Sequence, residues 1–573
     1  MQTKPNGHTL TLRGFRGMDP AGSHIDAAIP RDIVNFRIGE NGCLIKREGF
    51  RRITSLHSKP RAFYSGAKQA YLLVGDELFS FSHEDLSLRY ISRIPTNSGN
   101  AFFLPLGSSL YIADSLGVYL IQENDALPVD GYIPHIANEW ADTVIGETYE
   151  KRNVLSLRAR LTYRIVSETS IFLYAGDEIG SVEEVYINGE LIDPERYYLD
   201  DHYGTLNVRG MNPGDFVLVV LTFKHNTEEM NRMLRHFLSS TGSISLPGGS
   251  TLRFFCWQEN DPSATVVFTE HVSKEARLAS AQFKEHGNDL YLVGSSEFNI
   301  GAQECAVTAA LVQRGELLLF TEEDAWEVSP DPSDTSRLPT RCIHTAVGAK
   351  NRLCATLAGN DPITFDGNSV WLWGEEDVGG ARRVTNISSP IDGIIAKEKG
   401  EYGLFYNRFS DELLLYNRTT GTVFVRNMRD GHWTRFCDIP AEEFFEGSGS
   451  ACFYTANGDI CIFDSALSVD LPDGETPKAI VGSYVSGALE IKEGKKQSLL
   501  SCSVCADLNG EMLTATLRDT KHSLCSCTVR EREDEDHTLY RRLRSPRFRM
   551  GEFSMHTEGF SPTVIHSLEL NFL

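Results

Sequence analysis

Long apolar runs are missing from this 573-residue chain: none approaches the roughly 18 residues that a membrane helix needs. The opening MQTKPNGHTLTLRGFRG also lacks the apolar centre of a secretion signal. The expectation is a protein synthesised and folded in the cytoplasm with no membrane anchor. Positive charge is in short supply, with 55 Lys plus Arg against 78 Asp plus Glu, a net charge of −23. That balance argues against a protein that grips nucleic-acid phosphates over a broad basic face. Cysteine is thin, 12 residues between Cys43 and Cys527, which excludes a disulfide-stapled scaffold and predicts mostly small apolar core thiols. Amphipathic helical patterns are nearly absent, so helical bundles are excluded as well.

What the chain has instead is glycine (48 residues), aromatics (10%) and short apolar stretches between Gly, Asn and Asp turns, a pattern that predicts an all-β protein. At 41% apolar and 23% charged it is ordinary globular protein, long enough for several domains. One phrase recurs, a turn followed by a short apolar strand: GDELFSF from Gly75, GSSLYIAD from Gly107, GNDLYLVG from Gly287 and RGELLLF from Arg314. It continues as DGNSVWLW from Asp366, SDELLLYN from Ser410 and NGDICIFD from Asn457. Spacings of roughly 30 to 50 residues fit the four-stranded blades of a β-propeller. The stretch from Leu404 to Phe436 shows one such unit, three strands on tight turns closing on an aromatic strand.

The repeat is interrupted between about Pro134 and His286, too long for a loop, so an inserted β-sandwich is expected there. Asn188-Gly189 is a strong two-residue hairpin signal, and His202-Tyr203-Gly204 marks a second turn. Met230, Met233, Leu234, Phe237 and Leu238 recur at helical spacing behind an Asn226/Glu229 capping pair, predicting one amphipathic helix near 227–240. The reading is therefore an extended, basic N-terminal arm (1–55), first blades (56–136), the inserted sandwich (137–286), remaining blades (287–475) and a C-terminal β-sandwich (476–573). Arg13, Arg16, Arg31, Arg37, Lys46, Arg47, Arg51 and Arg52 make the arm the most basic region, suited to an acidic neighbouring subunit or to DNA. Its loss up to about Phe50 should leave the propeller folded.

Tests for chemistry return no catalytic, cofactor or metal residues. GALEIKEGKK from Gly487 has two residues too many between its glycines for a phosphate loop, and Lys496 stands where Ser or Thr should be. Cys502, Cys505, Cys525 and Cys527 are the best metal candidates, but Cys502 and Cys505 have opposite strand parity and the second pair has the wrong spacing. Carboxylates such as Asp200-Asp201 and Glu322-Glu323-Asp324 read as solvated turns. The run from Glu531 to Arg549 passes from acidic to basic, and is either a docking surface or a charged guard on a sheet edge.

Several phrases resemble a known family. IPRDIVNFRIGENGCLIKREGFRRI, from Ile29, is similar to an N-F…G-x-L-x-K-R-x-G-[FW] phrase that precedes the propeller in tailed-bacteriophage virion proteins of the tail-nozzle (tail tubular protein B-like) type. Asn35, Phe36, Gly42, Leu44, Lys46, Arg47, Gly49 and Phe50 match, while Glu48 replaces the usual proline. NVLSLRARLTYRIV from Asn153 resembles the lead into the family's inserted domain, and VEEVYINGELIDPERYYLDDHYGTLNV resembles its sandwich. RFFCWQEN, GELLLFTEEDAWEV and GNDPITFDGNSVWLW are similar to its successive blades. The resemblance implies a non-enzymatic virion protein of the tail or neck, assembled with itself as a ring, by analogy a hexamer, beneath the portal and adaptor. Genomic DNA would pass through without specific binding, and the acidic balance suits a channel that lets duplex slide. The alternative is a receptor-binding or distal tail protein whose Trp326, Trp371, Trp373 and Trp433 stack on host-surface sugar, although blade-core packing is the commoner use of such rings. A propeller hydrolase finds no support in any acid, base, nucleophile or metal constellation.

Overall fold

The computed structural model describes residues 8–573 apart from 21–28, 95–100, 129–134, 138–150, 154–157, 166–169, 173–178, 201–204, 225–239, 246–250, 257–264, 272–288, 293–296, 301–305, 330–338, 377–381, 490–495, 531–537 and a few single or paired residues. The described chain is nearly all β. The predicted helix near 227–240 lies outside the described residues.

Nearly half of the described strands belong to six four-stranded antiparallel units. Sheet 1 runs Ala62–Ser65, Gln69–Val74, Glu77–Ser82, Leu88–Arg93, and sheet 2 runs Ala101–Leu106, Ser109–Asp114, Gly117–Ile121, Ala126–Pro128. Sheet 3 runs Ala309–Gln313, Glu316–Phe320, Ala325–Val328, Thr340–His344, and sheet 4 runs Ala355–Ala358, Asp361–Phe365, Val370–Glu376, Arg382–Asn386. Sheet 5 contains Tyr402–Asn407, Glu412–Asn417, Val423–Asn427, Trp433–Phe436, and sheet 6 contains Glu443–Gly447, Ser450–Tyr454, Asp459–Asp464 and, from the far end of the chain, Gly49–Ser55. Six of the seven recurring phrases fall on second or third strands of these sheets, as with Glu412–Asn417, whose six residues are all buried, while GNDLYLVG falls on Asp289–Leu292 of the large sheet described below. Burial of both faces explains their continuous apolar character, since each face needs a neighbouring sheet.

Shared cores give the order of the sheets. Leu73 and Leu78 meet Phe103 and Ile112 between sheets 1 and 2. Leu72 and Phe81 meet Phe445 and Cys452 between sheets 1 and 6. Leu414 and Tyr416 meet Phe444 and Phe453 between sheets 5 and 6, and Phe320, Trp373 and Leu415 belong to one core spanning sheets 3 to 5. Sheet 6 thus adjoins both sheet 5 and sheet 1, so the sheets follow one another in the order 2, 1, 6, 5, 4, 3.

The inserted sandwich pairs Arg158–Arg164 and Ile179–Ile187 with Phe216–Phe223. A three-stranded sheet of Ser170–Phe172, Thr205–Val208 and Tyr197–Asp200 accompanies them, and Leu161, Val185, Leu206 and Val219 lie in their common core. Asn188 (φ 50°) and Gly189 (φ 88°) form the predicted hairpin turn, both in the left-handed region that a type I′ turn demands. The sheet that carries this hairpin continues through Lys151–Asn153, His135–Ala137 and Asp289–Leu292 into a further meander of Thr265–His271, Thr251–Cys256 and Ser240–Ser245, whose strand Ser240–Ser245 lies against Ala309–Gln313.

The described strands of the N-terminal 55 residues are built into other domains of the chain. His8–Arg13 pairs with Val564–Phe572, and Asp32–Val34 lies between Trp433–Phe436 of sheet 5 and Lys478–Leu489 of the C-terminal sandwich. Leu44–Lys46 pairs with Val564–Phe572, while Gly49–Ser55 pairs with Asp459–Asp464 as the fourth strand of sheet 6. Phe15, Met18, Ile33, Phe36, Leu44 and Phe50 are buried. Removing residues up to Phe50 would therefore damage two domains, because strands drawn from a polar, Arg-rich stretch find their apolar partners only at long range.

The C-terminal sandwich has one sheet with Leu499–Asp507, Thr538–Arg542 and Val564–Phe572, and a second with Lys478–Leu489, Met512–Arg518, Ser523–Arg530 and Gly551–Gly559. Among the described residues no helix is long and apolar enough to cross a membrane. Gly49 is the tightest joint: a Cβ there would lie 1.7 Å from the Val469 carbonyl oxygen. Gly49→Ala must displace backbone and should cost at least about 1–3 kcal/mol, read as a lower denaturant midpoint; an unchanged midpoint would contradict the described approach.

Candidate functional site

The segments leading into the first strands of sheets 1, 3, 4 and 5 surround a cavity of about 900 Å³, lined among others by Arg61, Thr308, Arg352, Tyr402, Glu443 and Tyr454. The lead-in loops of four first strands therefore converge on one space, whose rim they form. The rim is densely charged and mutually paired. Glu442 accepts from Lys59 and Arg418 at 2.5 Å each, and Arg418 also reaches Glu401 at 3.0 Å. Lys350 pairs with Glu322 at 2.7 Å, Arg352 lies 3.8 Å from Glu443, and Tyr454 donates to Glu443 at 2.9 Å. Burial alone would raise the Glu442 carboxyl, but Lys59 and Arg418 hold it below its usual range. Burial also pushes the Tyr402 hydroxyl up to about 12. With the rim's anions spent on lysine and arginine and its tyrosines protonated, the mouth is a rigid polar surface suited to contact.

The residues of the N-terminal phrase converge elsewhere, on the junction of sheet 5, sheet 6 and the C-terminal sandwich. Asn35, at φ 56°, adopts the left-handed conformation that Asn tolerates. Its side chain donates to the Val481 carbonyl and accepts from the Arg47 Nε and the Cys437 amide. The buried Arg47 guanidinium makes a two-pronged pair with Asp470 at 2.8 and 2.7 Å and donates to the Glu48 carbonyl. Asp470 also accepts from the Phe50 amide. Beside it, Lys46 is buried against Glu511 at 2.8 Å and donates to the carbonyls of Gly559 and Ser561, while Glu511 accepts from Ser561 and Thr563. Glu48, standing where the family phrase has proline, accepts from Arg37, which also grips Glu412.

Other sequence candidates are dispersed. Arg31, Arg51 and Arg52 pair within the chain with Glu552, Asp464 and Asp459, so the basic segment serves intramolecular contacts. Trp373 and Trp433 are fully buried and donate to Thr364 and the Ile387 carbonyl, which removes both from any sugar-stacking surface. Trp371 donates to Asp366. Glu322 pairs with Lys350, and Asp201 lies outside the described residues. Cys502 lies in the sandwich core with Cys525 and Cys527 against that core, but Cys505 alternates to the other face of its strand. No group of three or more His, Cys, Asp or Glu able to hold a metal occurs among the described residues. Residues 490–495 of the GALEIKEGKK stretch lie outside the described residues. Sequence reasoning missed the rim pairs Lys59–Glu442 and Arg352–Glu443, whose partners are hundreds of positions or many strands away and carry no local signature.

No protein-family model matches the chain. No curated protein matches it. Among solved structures it is matched with one described as "Crystal structure of BBS1N in complex with ARL6DN, soaked with mercury", with a TM-score of 0.33 and 8% sequence identity over 73% of this chain and 98% of that chain. A likeness of that size carries no argument about activity or partners.

Two outcomes follow from the ion pairs. Asp470→Ala leaves the Arg47 guanidinium buried without its carboxylate and should destabilise by about 3–5 kcal/mol in denaturant unfolding, whereas Arg47→Met combined with Asp470→Leu should recover most of the loss. Equal costs for single and double variants would show that the pair is not the source. Glu442, depressed from its usual value of 4.5, contributes stability that is present above that pH and lost as pH falls through its folded value. Glu442→Gln should therefore lower stability near neutrality and leave a shallower acid limb, checked by unfolding from pH 7 to 3; parallel limbs would remove Glu442 from the account.

Proposed function

We propose that this chain is a structural protein of a tailed-bacteriophage virion, a nozzle-like component of the tail or neck. In this reading copies assemble as a ring, by analogy a hexamer, beneath the portal and adaptor, enclosing the path of the DNA and taking part in genome retention and ejection. One observation carries the proposal. The residues that match the family phrase, Asn35, Phe36, Lys46, Arg47, Gly49 and Phe50, act together as a buried weld between the blade array and the C-terminal sandwich. A phrase whose members share one architectural task supports kinship in architecture, and a ring wall that contains pressurised DNA needs domains that do not hinge.

Charge supports the same reading. The net −23 comes with a basic N-terminal segment whose cations are largely paired internally, so the outward field is dominated by carboxylate. Such a wall repels phosphate within about a Debye length, roughly 8 Å at physiological salt, and leaves duplex free to slide. The association is therefore structural and the protein performs no turnover.

Imaging of an intact particle is the deciding experiment. The expected outcome is density for this chain as a ring around the DNA path next to the portal, with purified protein showing no salt-dependent retention on duplex DNA. Density only at the distal tip or on fibres, or tight salt-sensitive DNA binding, would overturn the reading.

A further inference from the structure

Against an acidic chain whose buried cations are paired, one arginine group stands apart. Thr538–Arg542 is an end strand of its sheet, hydrogen-bonded to Leu499–Asp507 on one side and to no strand on the other among the described residues. The segment after it is pinned: Ser545 accepts from the Leu499 amide at 2.8 Å, and the buried Phe548 exchanges backbone bonds with Gln497 at 2.8 and 2.9 Å. Held in this way, Arg541, Arg544, Arg547 and Arg549 are all exposed, and among the described residues none has a carboxylate partner. Tyr540 (54% exposed) and Met550 (43%) flank them. A group of exposed guanidinium groups without a carboxylate partner among the described residues, close in sequence to exposed apolar side chains, has the composition of a docking surface.

The opposite sign is displayed on the inserted sandwich. Glu190–Leu191 is the end strand of its sheet, and Glu190, Asp193 and Glu195 are exposed with no cation partner among the described residues. Leu191 (61% exposed) and Tyr198 (60%) stand among them. Asp193 caps the 3-10 turn Pro194–Arg196 by accepting from the Glu195 amide, so this edge is also held in shape.

We propose that the arginine row of the C-terminal sandwich docks on the acidic edge of the inserted sandwich of a second copy of this chain. Two different patches meet, so the contact is heterologous and propagates from copy to copy until a ring closes. Complementary charge sets register and partner choice, and the exposed apolar residues beside each charged group supply the desolvated contact. The inference rests on the reading that copies assemble with one another, and it assigns the surfaces.

The experiment measures the mass of the full-length protein by sedimentation at low and high salt, with far-UV circular dichroism and melting as controls for folding. Expected results are a salt-sensitive oligomer for the wild type and assembly at least about tenfold weaker for Arg541→Glu/Arg544→Glu/Arg547→Glu and for Glu190→Lys/Asp193→Lys/Glu195→Lys. Mixing the two variants should restore assembly, since an alternating ring then has attractive charge at every contact. Normal assembly of either variant overturns the interface and leaves the ring reading intact. Loss that mixing does not restore overturns the pairing of these two patches. A wild type monomeric at low salt, and equally monomeric in extracts of assembled particles, overturns both. An arginine variant that assembles normally but loses duplex-DNA binding makes the row a nucleic-acid site and overturns the proposal.

Discussion

Arg47 and Asp470 are 423 positions apart and meet in the protein interior, and the architecture depends on that meeting. Moving two ions out of water is costly, and the cost is offset only where the remaining donors and acceptors are also satisfied. Asn35, Phe50 and Glu48 do this here, with the Asn35 side chain reaching in turn to Val481 and Cys437. The same residues fix where Gly49–Ser55 enters sheet 6 and where Asp32–Val34 enters the sheet shared by the blades and the sandwich. A wrong register at either strand would strand a buried charge, so the pair specifies the assembly as well as joining it.

This joint determines how the domains act mechanically. Trp433–Phe436, Asp32–Val34 and Lys478–Leu489 are neighbours in one continuous sheet, so backbone hydrogen bonds cross from the blades into the C-terminal sandwich. Lys46–Glu511 closes the other side of the same junction. Two domains linked by hydrogen-bonded strands and buried ions move together, unlike domains on a polar linker. Rigid coupling of this kind leaves no hinge between these two domains at the junction.

Much of the architecture was legible in the residues. Short apolar runs between Gly, Asn and Asp turns became four-stranded meanders, and Asn188-Gly189 became the hairpin it signals, because these features depend on side-chain period and turn stereochemistry within a few positions. The Cys502/Cys505 parity argument likewise survives in the alternating burial of Leu499–Asp507. That the N-terminal segment lies against other domains follows from its lack of a core of its own, but which strands it joins was hidden, since its Arg and Gly content leaves isolated apolar positions such as Ile33, Phe36, Leu44 and Phe50. That Ser240–His271 continues the sheet of the insertion was not legible, because the joining strands His135–Ala137 and Asp289–Leu292 pair across more than 150 positions. Trp373 and Trp433 could be allotted to core or surface only once their neighbours were known.

By itself the sequence determined the all-β class, the repeat, the scarcity of positive charge and the turns, since each is set by local stereochemistry or by simple counting. The tertiary structure alone decided which cations are neutralised, that Gly49–Ser55 completes a sheet begun at Glu443, and which arginines remain exposed with no carboxylate partner among the described residues. Partners hundreds of residues apart leave no periodic trace in a chain. Only folding brings their charges close enough for Coulomb attraction and desolvation to select one arrangement.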